Sequence, residues 1–293
     1  MQNSKIATIV VNYNGLSDTI DCIKSVQKSK YTCHIVVVDN ASVGTDAEIL
    51  RSIYPNITVI ASKINGGFSY GNNLGIKWAI EHDYDFVLLL NNDTVIDENM
   101  ISLLHEHADE VTITVPSMFY YSKPYLLWYG GGYVDKRTGN AKHKRINKIV
   151  DVDFMEPEDC TFATGCCMLL STGVIKKIGM LEENFFMYCE DTEFCIRAIK
   201  NGIRIQYIPW AKLWHKVSSS TGGCDSPFST YYMTRNRLRY IDLHKDFFYV
   251  TAKPFTLLTR KIRAMTCKNE KVKEAFLRGI KDYKDGVLGK VTI

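Results

Sequence analysis

The chain has 293 residues, 46% hydrophobic and 23% charged, with a net charge of +4, an ordinary globular composition for one large domain or a domain with an extension. No apolar run approaches the ~18 residues of a membrane-spanning helix. The first fifteen residues carry one lysine and no small-residue cleavage site, and none of the nine cysteines forms a CxxC pair, which points to a reducing cytosol and away from a leader or a zinc ribbon.

In chain order, KIATIVVNY (5–13) is a strand rich in β-branched residues, and Asn14-Gly15 turns the chain into a helix from Ser17. HIVVVDN (34–40) is a second strand, a short helix lies around 47–53, and ITVIAS (57–62) is a third strand. In 67–82, Tyr70, Leu74 and Trp78 are four apart on one helix face. DFVLLLNND is the fourth strand: Phe86 to Leu90 run without a break and stop at Asn91, Asn92, Asp93 and Thr94. A helix over 98–108 follows. Strands alternating with helices predict an α/β fold, a mostly parallel central sheet with helices on both faces.

After residue 111 the pattern changes. Strands are expected over 111–121 and 125–135, then a basic, mobile surface loop over 136–148. Residues 166–170 form a strand running into a short helix, and Cys166, Cys167 and Cys195 read as core residues. The aromatic loop NFFMYC enters a helix at Glu190-Asp191 that ends at Gly202; RIQYIP (204–209) is a strand and 211–223 a loop. The last ~65 residues are helical. From Tyr231 onward 15 Lys and Arg face 6 Asp and Glu, so a tail of +9 follows a body of −5. That asymmetry suits a cation in the body and an anionic partner for the tail.

Ligands of open α/β sheets bind at the carboxyl ends of the strands. Asn12 and Asn14, Asp39 and Asn40, and Asn91 to Asp93 all fall there. One such cluster is a turn; three at one sheet edge make a site candidate.

The motifs VVNYNG, VVVDNAS, NGGFSYGNNLGI, LLLNNDT, ATGCCMLL, CEDTEFCIRAIKNG and WHKVSSSTGG, in this order over roughly residues 5–240, resemble the family 2 inverting glycosyltransferases of the GT-A fold, particularly the bacterial rhamnosyltransferase-like branch. The resemblance implies a GT-A domain over 1–230, with a nucleotide-sugar half (1–110) and an acceptor half (111–230), and a basic helical extension over 231–293. It implies a nucleotide-diphospho-sugar donor, dTDP-rhamnose or a UDP-hexose, bound by Val11, Asn12, Asn14 and Asp39 at the base and ribose. Asn65 and Gly67 are expected to let backbone approach the donor, with Asn73 on the following helix.

Asn92-Asp93 takes the place of the family's DxD motif, with Asn91 where the first Asp would stand. The resemblance thus assigns Asp93 and His215 to a divalent cation, Mg²⁺ or Mn²⁺. A structural hydrogen-bonder is the alternative for His215. By family position Asp191 is the general base for the acceptor hydroxyl, and Glu190 orients the acceptor; acids favoured at a helix N-terminus are the alternative. Arg235 and Arg239, four apart, are candidates for a phosphate of donor or acceptor, or else a solvated face.

The acceptor is expected to be a surface glycan, free or lipid-linked, with no nucleic acid involved. The enzyme is expected in the cytoplasm at the inner membrane face, touching it through the tail, whose apolar residues otherwise pack on the domain. The rival readings are a sugar-phosphate nucleotidyltransferase, which needs a basic glycine-rich loop that NYNGLSD lacks, and a catalytically inactive nucleotide-sugar-binding protein.

Overall fold

Four apolar strands build the centre. β1 (Ile6–Asn12), β2 (His34–Asp39), β3 (Thr58–Ala61) and β4 (Phe86–Asn91) pair in parallel in the order β3–β2–β1–β4. Ile6, Ile9, Val10 and Val87 to Leu90 are at most 2% exposed, the burial of a sheet covered on both faces. The crossovers run through α1 (Leu16–Gln27), α2 (Asp46–Ile53) and α3 (Gly67–Glu81). The computed structural model describes residues 4–217 and 226–293.

α3 packs through its small side. Tyr70, Leu74 and Trp78 share a face but stay half-buried, whereas Gly71, Gly75 and Ala79 are buried. A methyl at Gly75 would stand 2.5 Å from Cγ2 of Ile9, so only glycine lets the helix lie this close to β1.

The second half extends the same sheet. Its elements are β5 (Thr94–Ile96), α4 (Met100–His105), β6 (Thr112–Tyr120), β7 (Lys123–Tyr129), β8 (Gly132–Asp135), β9 (Asn140–His143), β10 (Glu158–Cys160), β11 (Cys167–Ser171), α5 (Thr172–Ile178), α6 (Glu190–Lys200) and β12 (Arg204–His215). β11 lies antiparallel against β4, with β6, β12 and β10 beyond it, while β5 pairs with the end of β12. Cys166, Cys167 and Cys195 are buried in the core.

Two segments differ from expectation. Part of the expected basic loop is a hairpin, β8 pairing β9 from Gly132↔His143 to Asp135↔Asn140. The strand begun at Arg204 continues past Pro209 and a register shift between Ile208 and Lys212, through Ala211 to His215. Ala211, Leu213 and His215 are buried in alternation with half-buried Lys212 and Trp214, a period of two that Pro209 obscured. The remainder of that expected loop, from 218 on, lies outside the described residues.

α7 (Pro227–Leu243), α8 (Ala252–Thr266) and α9 (Glu270–Lys284) follow. Tyr240, Ile241, Phe247 and Phe248 enter the main core, and Tyr231 and Tyr232 pack with Phe186. α7 is therefore built into the body of the molecule.

Candidate active site

The carboxyl ends of β2, β1 and β4 are joined by one hydrogen-bonded chain. Asn12 and Asp39 are register partners, and Asn12 donates to Asp39 at 2.8 Å, to Ser42 Oγ at 3.0 Å and to Asp46 at 3.0 Å. Asn12 Oδ1 accepts from Thr19 (2.8 Å), and Thr19 Oγ1 accepts from Asn92 Nδ2 (3.0 Å). Asn14, left-handed at φ 53°, accepts from Val43 N–H, and its own N–H donates to Ser42. Half-buried Val11 lies beside this cluster in β1. Ser42, Asp46 and Thr19 escaped the sequence reading, because single Ser, Thr and Asp residues in loops and first helical turns carry no distinctive signal.

At the next residue, Asp93 is 8% exposed and its carboxylate meets His215 Nε2 at 3.1 Å. The partnership follows from topology: β5 pairs with the end of β12, with Thr94 opposite His215. Burial opposes charge on the imidazole, but the Cys166 and Asp93 side chains override it and raise its pKa to about 10. Lys216 N–H donates to the Asp93 carbonyl, and Lys216 Nζ bridges Asp18 and Asp21, which pins this end of β12 to α1.

One carboxylate and one imidazole do not make a preformed protein cage, and no group of three His, Cys, Asp or Glu placed to hold a metal ion exists among the described residues. They would fit a hard cation that keeps most of its coordination for water and phosphate oxygens, as Mg²⁺ does, once the imidazole gives up its proton, since a metal-ligating histidine is neutral.

α6 places three carboxylates in one turn, and their surroundings separate them. Glu193 is paired with Arg197 (2.8 Å) and His244 (3.1 Å), which outweigh its burial and hold it below the usual range. Glu190 is 5% exposed with Oε2 unpartnered; burial and the Asp191 charge raise its pKa. Asp191 is raised by burial, against hydrogen bonds from Gly165 N–H (3.1 Å) and Thr192 N–H (2.6 Å). The residue after Gly165 is Cys166, whose thiol lies against His215 and whose carbonyl accepts from Asn91 N–H. The Gly165-Cys166 step thus touches the Asp191 carboxylate on one side and the Asp93–His215 pair on the other.

Residues 8–179 match the family model described as "Glycosyl transferase family 2". The chain belongs to that family. It is 24% identical over 241 residues to the dTDP-rhamnosyl transferase RfbF of Shigella flexneri, covering 80% of this chain and 79% of that one. It is 29% identical over 240 residues to the low-salt glycan biosynthesis hexosyltransferase Agl10 of Haloferax volcanii, covering 79% and 74%. Its fold is similar to that of GalNAc-T7, solved with UDP, GalNAc and Mn²⁺, at a TM-score of 0.68 and 15% identity over 98% of this chain and 57% of that longer one. The fold is GT-A, as the motifs implied.

In this glycosyltransferase several residues expected at the donor are engaged by the protein itself. Asn73 donates to the Leu181 carbonyl and Glu183 and accepts from Leu181 N–H, tying α3 to the segment before the aromatic loop. Asn65 accepts from Gly67 N–H at the start of α3. At Gly67, φ is +91° and a methyl would stand 2.0 Å from the Phe186 carbonyl oxygen. At Gly67 the enzyme's own aromatic loop makes a close approach.

Arg235 is likewise corrected. It is 1% exposed and donates to the carbonyls of Phe185 and Gly289 and to Tyr231 Oη, so its guanidinium is consumed by the fold. Arg239 lies over the Phe185 ring and lines a cavity of about 260 Å³ with Asp242, Tyr283 and Gly286 to Leu288. Asn236 is a further residue the sequence reading missed. Its amide donates to the carbonyls of Phe185, Met187 and Tyr188, holding the loop that leads into Glu190.

Proposed function

We propose that this glycosyltransferase inverts the anomeric centre, moving a sugar from a nucleotide-diphospho-sugar, dTDP-rhamnose or a UDP-hexose, to a hydroxyl of a growing surface glycan. The observation that carries the reading is the continuity of contacts from Asp39 through Asn12, Thr19, Asn92 and Asp93–His215 to Gly165 and Asp191. It supports one cleft, with the nucleotide base over Val11 to Asn14 and Asp39 and the acceptor at α6. The relatives named rhamnosyl and hexosyl transferases support the choice of donors.

The acceptor hydroxyl gives its proton to Asp191 while its oxygen attacks the anomeric carbon from the face opposite the diphosphate. The bond to the diphosphate oxygen breaks with its electron pair. Burial raises Asp191, which makes it a stronger base than an exposed aspartate. The unpartnered Oε2 of Glu190 suits a hydrogen bond to the acceptor. Asp93 and His215 are the residues that would hold Mg²⁺ or Mn²⁺, whose charge offsets that of the diphosphate.

The basic tail would meet an anionic membrane at the cytoplasmic face. On α8, Phe255, Leu258, Ile262 and Met265 are 41%, 58%, 48% and 82% exposed at spacings of three and four, beside exposed Lys261 and Arg263.

A thermal-shift series with dTDP- and UDP-sugars, each with and without Mn²⁺, tests the donor. At ~100-fold excess over Kd the true donor adds about 2.7 kcal/mol. The expected result is metal-dependent stabilisation that Asp39→Ala removes; no shift with any nucleotide sugar would overturn the reading.

A further inference from the structure

Two arginines next to the catalytic end carry charge that the protein does not answer. Arg260 on α8 is 6% exposed, its Nε is buried without a partner, and its neighbour is the Phe276 ring, 5.7 Å away. Among the described residues no carboxylate pairs with it. Arg237 on α7 donates to Asn140 at the start of β9 and leaves its own Nε buried and unpartnered. Burial together with the like charges of Arg237 and Arg263 pushes the Arg260 guanidinium down to about 9, still charged at neutral pH.

Arg239 also has a buried Nε without a partner, but it lies over the Phe185 ring in a cavity it shares with Asp242. Arg235 is more deeply buried and spends its donors on carbonyls, and Arg197 pairs with Glu193 and two further carbonyls. An uncompensated buried charge costs several kcal/mol and persists where something outside the chain completes it. Two guanidinium groups near enough to repel each other match an anion with several oxygens.

Their place identifies which anion. Cys189, which immediately precedes Glu190, and Tyr240 lie within electrostatic reach of both Arg237 and Arg260 on one side and of Asp191 on the other. The donor diphosphate belongs at Asp93 and His215, on the other side of the Gly165-Cys166 step. We propose that Arg237 and Arg260 form a phosphate-binding subsite on the acceptor side, so that the acceptor carries a phosphate or diphosphate near the hydroxyl it presents to Asp191. The inference rests on Asp191 as the base of the proposed transfer. Both a lipid diphosphate and a polyol-phosphate polymer offer that chemistry.

The test is calorimetry on the full chain in chelator, so that no metal draws phosphate to Asp93. The titrants are inorganic pyrophosphate, a short prenyl diphosphate and a glycerol-phosphate oligomer. The expected result is binding that Arg260→Met or Arg237→Met weakens at least ~10-fold and Asp93→Ala leaves unchanged, while in separate titrations with Mn²⁺ and no chelator UDP binding persists in both arginine variants. A prenyl diphosphate binding tighter than pyrophosphate identifies the lipid source, and a tighter oligomer the polymer. Pyrophosphate binding equal in wild type and both arginine variants, or no binding at all, overturns the subsite; loss of UDP binding in wild type would sink the donor reading and leave the subsite standing. Arg260→Met should melt no lower than wild type, since it removes an unpaired charge. A large drop in its midpoint with unaltered pyrophosphate affinity would make Arg260 structural. If it fails to fold, the half-buried Arg237→Met carries the same comparison.

Discussion

Asp93 and Asp191 flank the same backbone step, and their neighbours suit them to opposite tasks. Asp93 is held by an imidazole whose charge it supports, whereas Asp191 receives only N–H and hydroxyl donors. Asp191→Asn should leave donor binding nearly unchanged and cut kcat by ~10²–10⁴-fold, the span of a lost general base. Asp93→Ala should weaken metal-dependent donor binding as well as turnover; steady-state kinetics with calorimetry separate the two patterns. Glu190 permits a stability test. Its folded pKa is raised above that of the unfolded chain, so the carboxyl costs nothing below the unfolded value and destabilises progressively as pH rises toward the folded one. Glu190→Gln should therefore raise the melting midpoint at pH 8 by on the order of 1 kcal/mol, roughly 2–4 °C, and leave it unchanged at pH 4. Equal midpoints at pH 8 would show that Glu190 is not held against its charge.

The aromatic segment before α6 is strained, with Phe186, Tyr188 and Cys189 all left-handed at φ 65°, 65° and 74°. Such residues cost ~1 kcal/mol or more each and persist only where surrounding contacts hold them. Here α3 and α7 do so: Phe68 N–H donates to the Phe186 carbonyl, and Asn236 takes the carbonyls on either side. Asn236→Ala should cost about 1–3 kcal/mol, because three carbonyls lose one amide. It should also lower kcat while leaving nucleotide affinity intact, since the network at Asp39 is remote in sequence and built from other elements. Gly67→Ala should act in the same direction by pushing Phe186 away. Unchanged turnover in both variants would separate the loop from catalysis.

Across the molecule, the basic tail resolves into two faces of α8. Arg260 points charge inward, while Phe255, Leu258, Ile262 and Met265 are exposed. No helix of the described residues is long and apolar enough to cross a membrane, so the contact proposed here is interfacial. Flotation with anionic vesicles should recover the enzyme at low salt and release it at roughly 0.5 M, because each basic residue contributes ~1 kcal/mol at most and salt screens it. Leu258→Ser with Met265→Ser should abolish flotation without lowering the melting midpoint, because these side chains are 58% and 82% exposed. Retention of binding in that double variant would reject α8 as the contact.

The parallel half of the sheet and the polar residues at its strand ends were legible because each is a local signal. Apolar runs such as Phe86–Leu90 report burial on both faces, and a polar residue at such a run's end lies at the ligand edge whatever the rest of the chain does. Asn91 to Thr94 is indeed a turn, from β4 into β5, and it carries Asp93 to His215. The hairpin at 132–143 and the continuation of β12 were not legible, since a charged turn and a proline each mask alternation whose partner strands are distant. The internal contacts of Gly67, Asn73 and Arg235 were not legible for the same reason. A glycine, an amide or a guanidinium is equally suited to a ligand or to backbone carbonyls, and which it meets depends on chain far away: Phe186 for Gly67, Leu181 for Asn73, Phe185 and Gly289 for Arg235. Residue type sets what a side chain can bond to, but the packing of remote segments sets what it does bond to, and the buried, unpartnered Nε atoms of Arg237 and Arg260 became visible only in the folded chain.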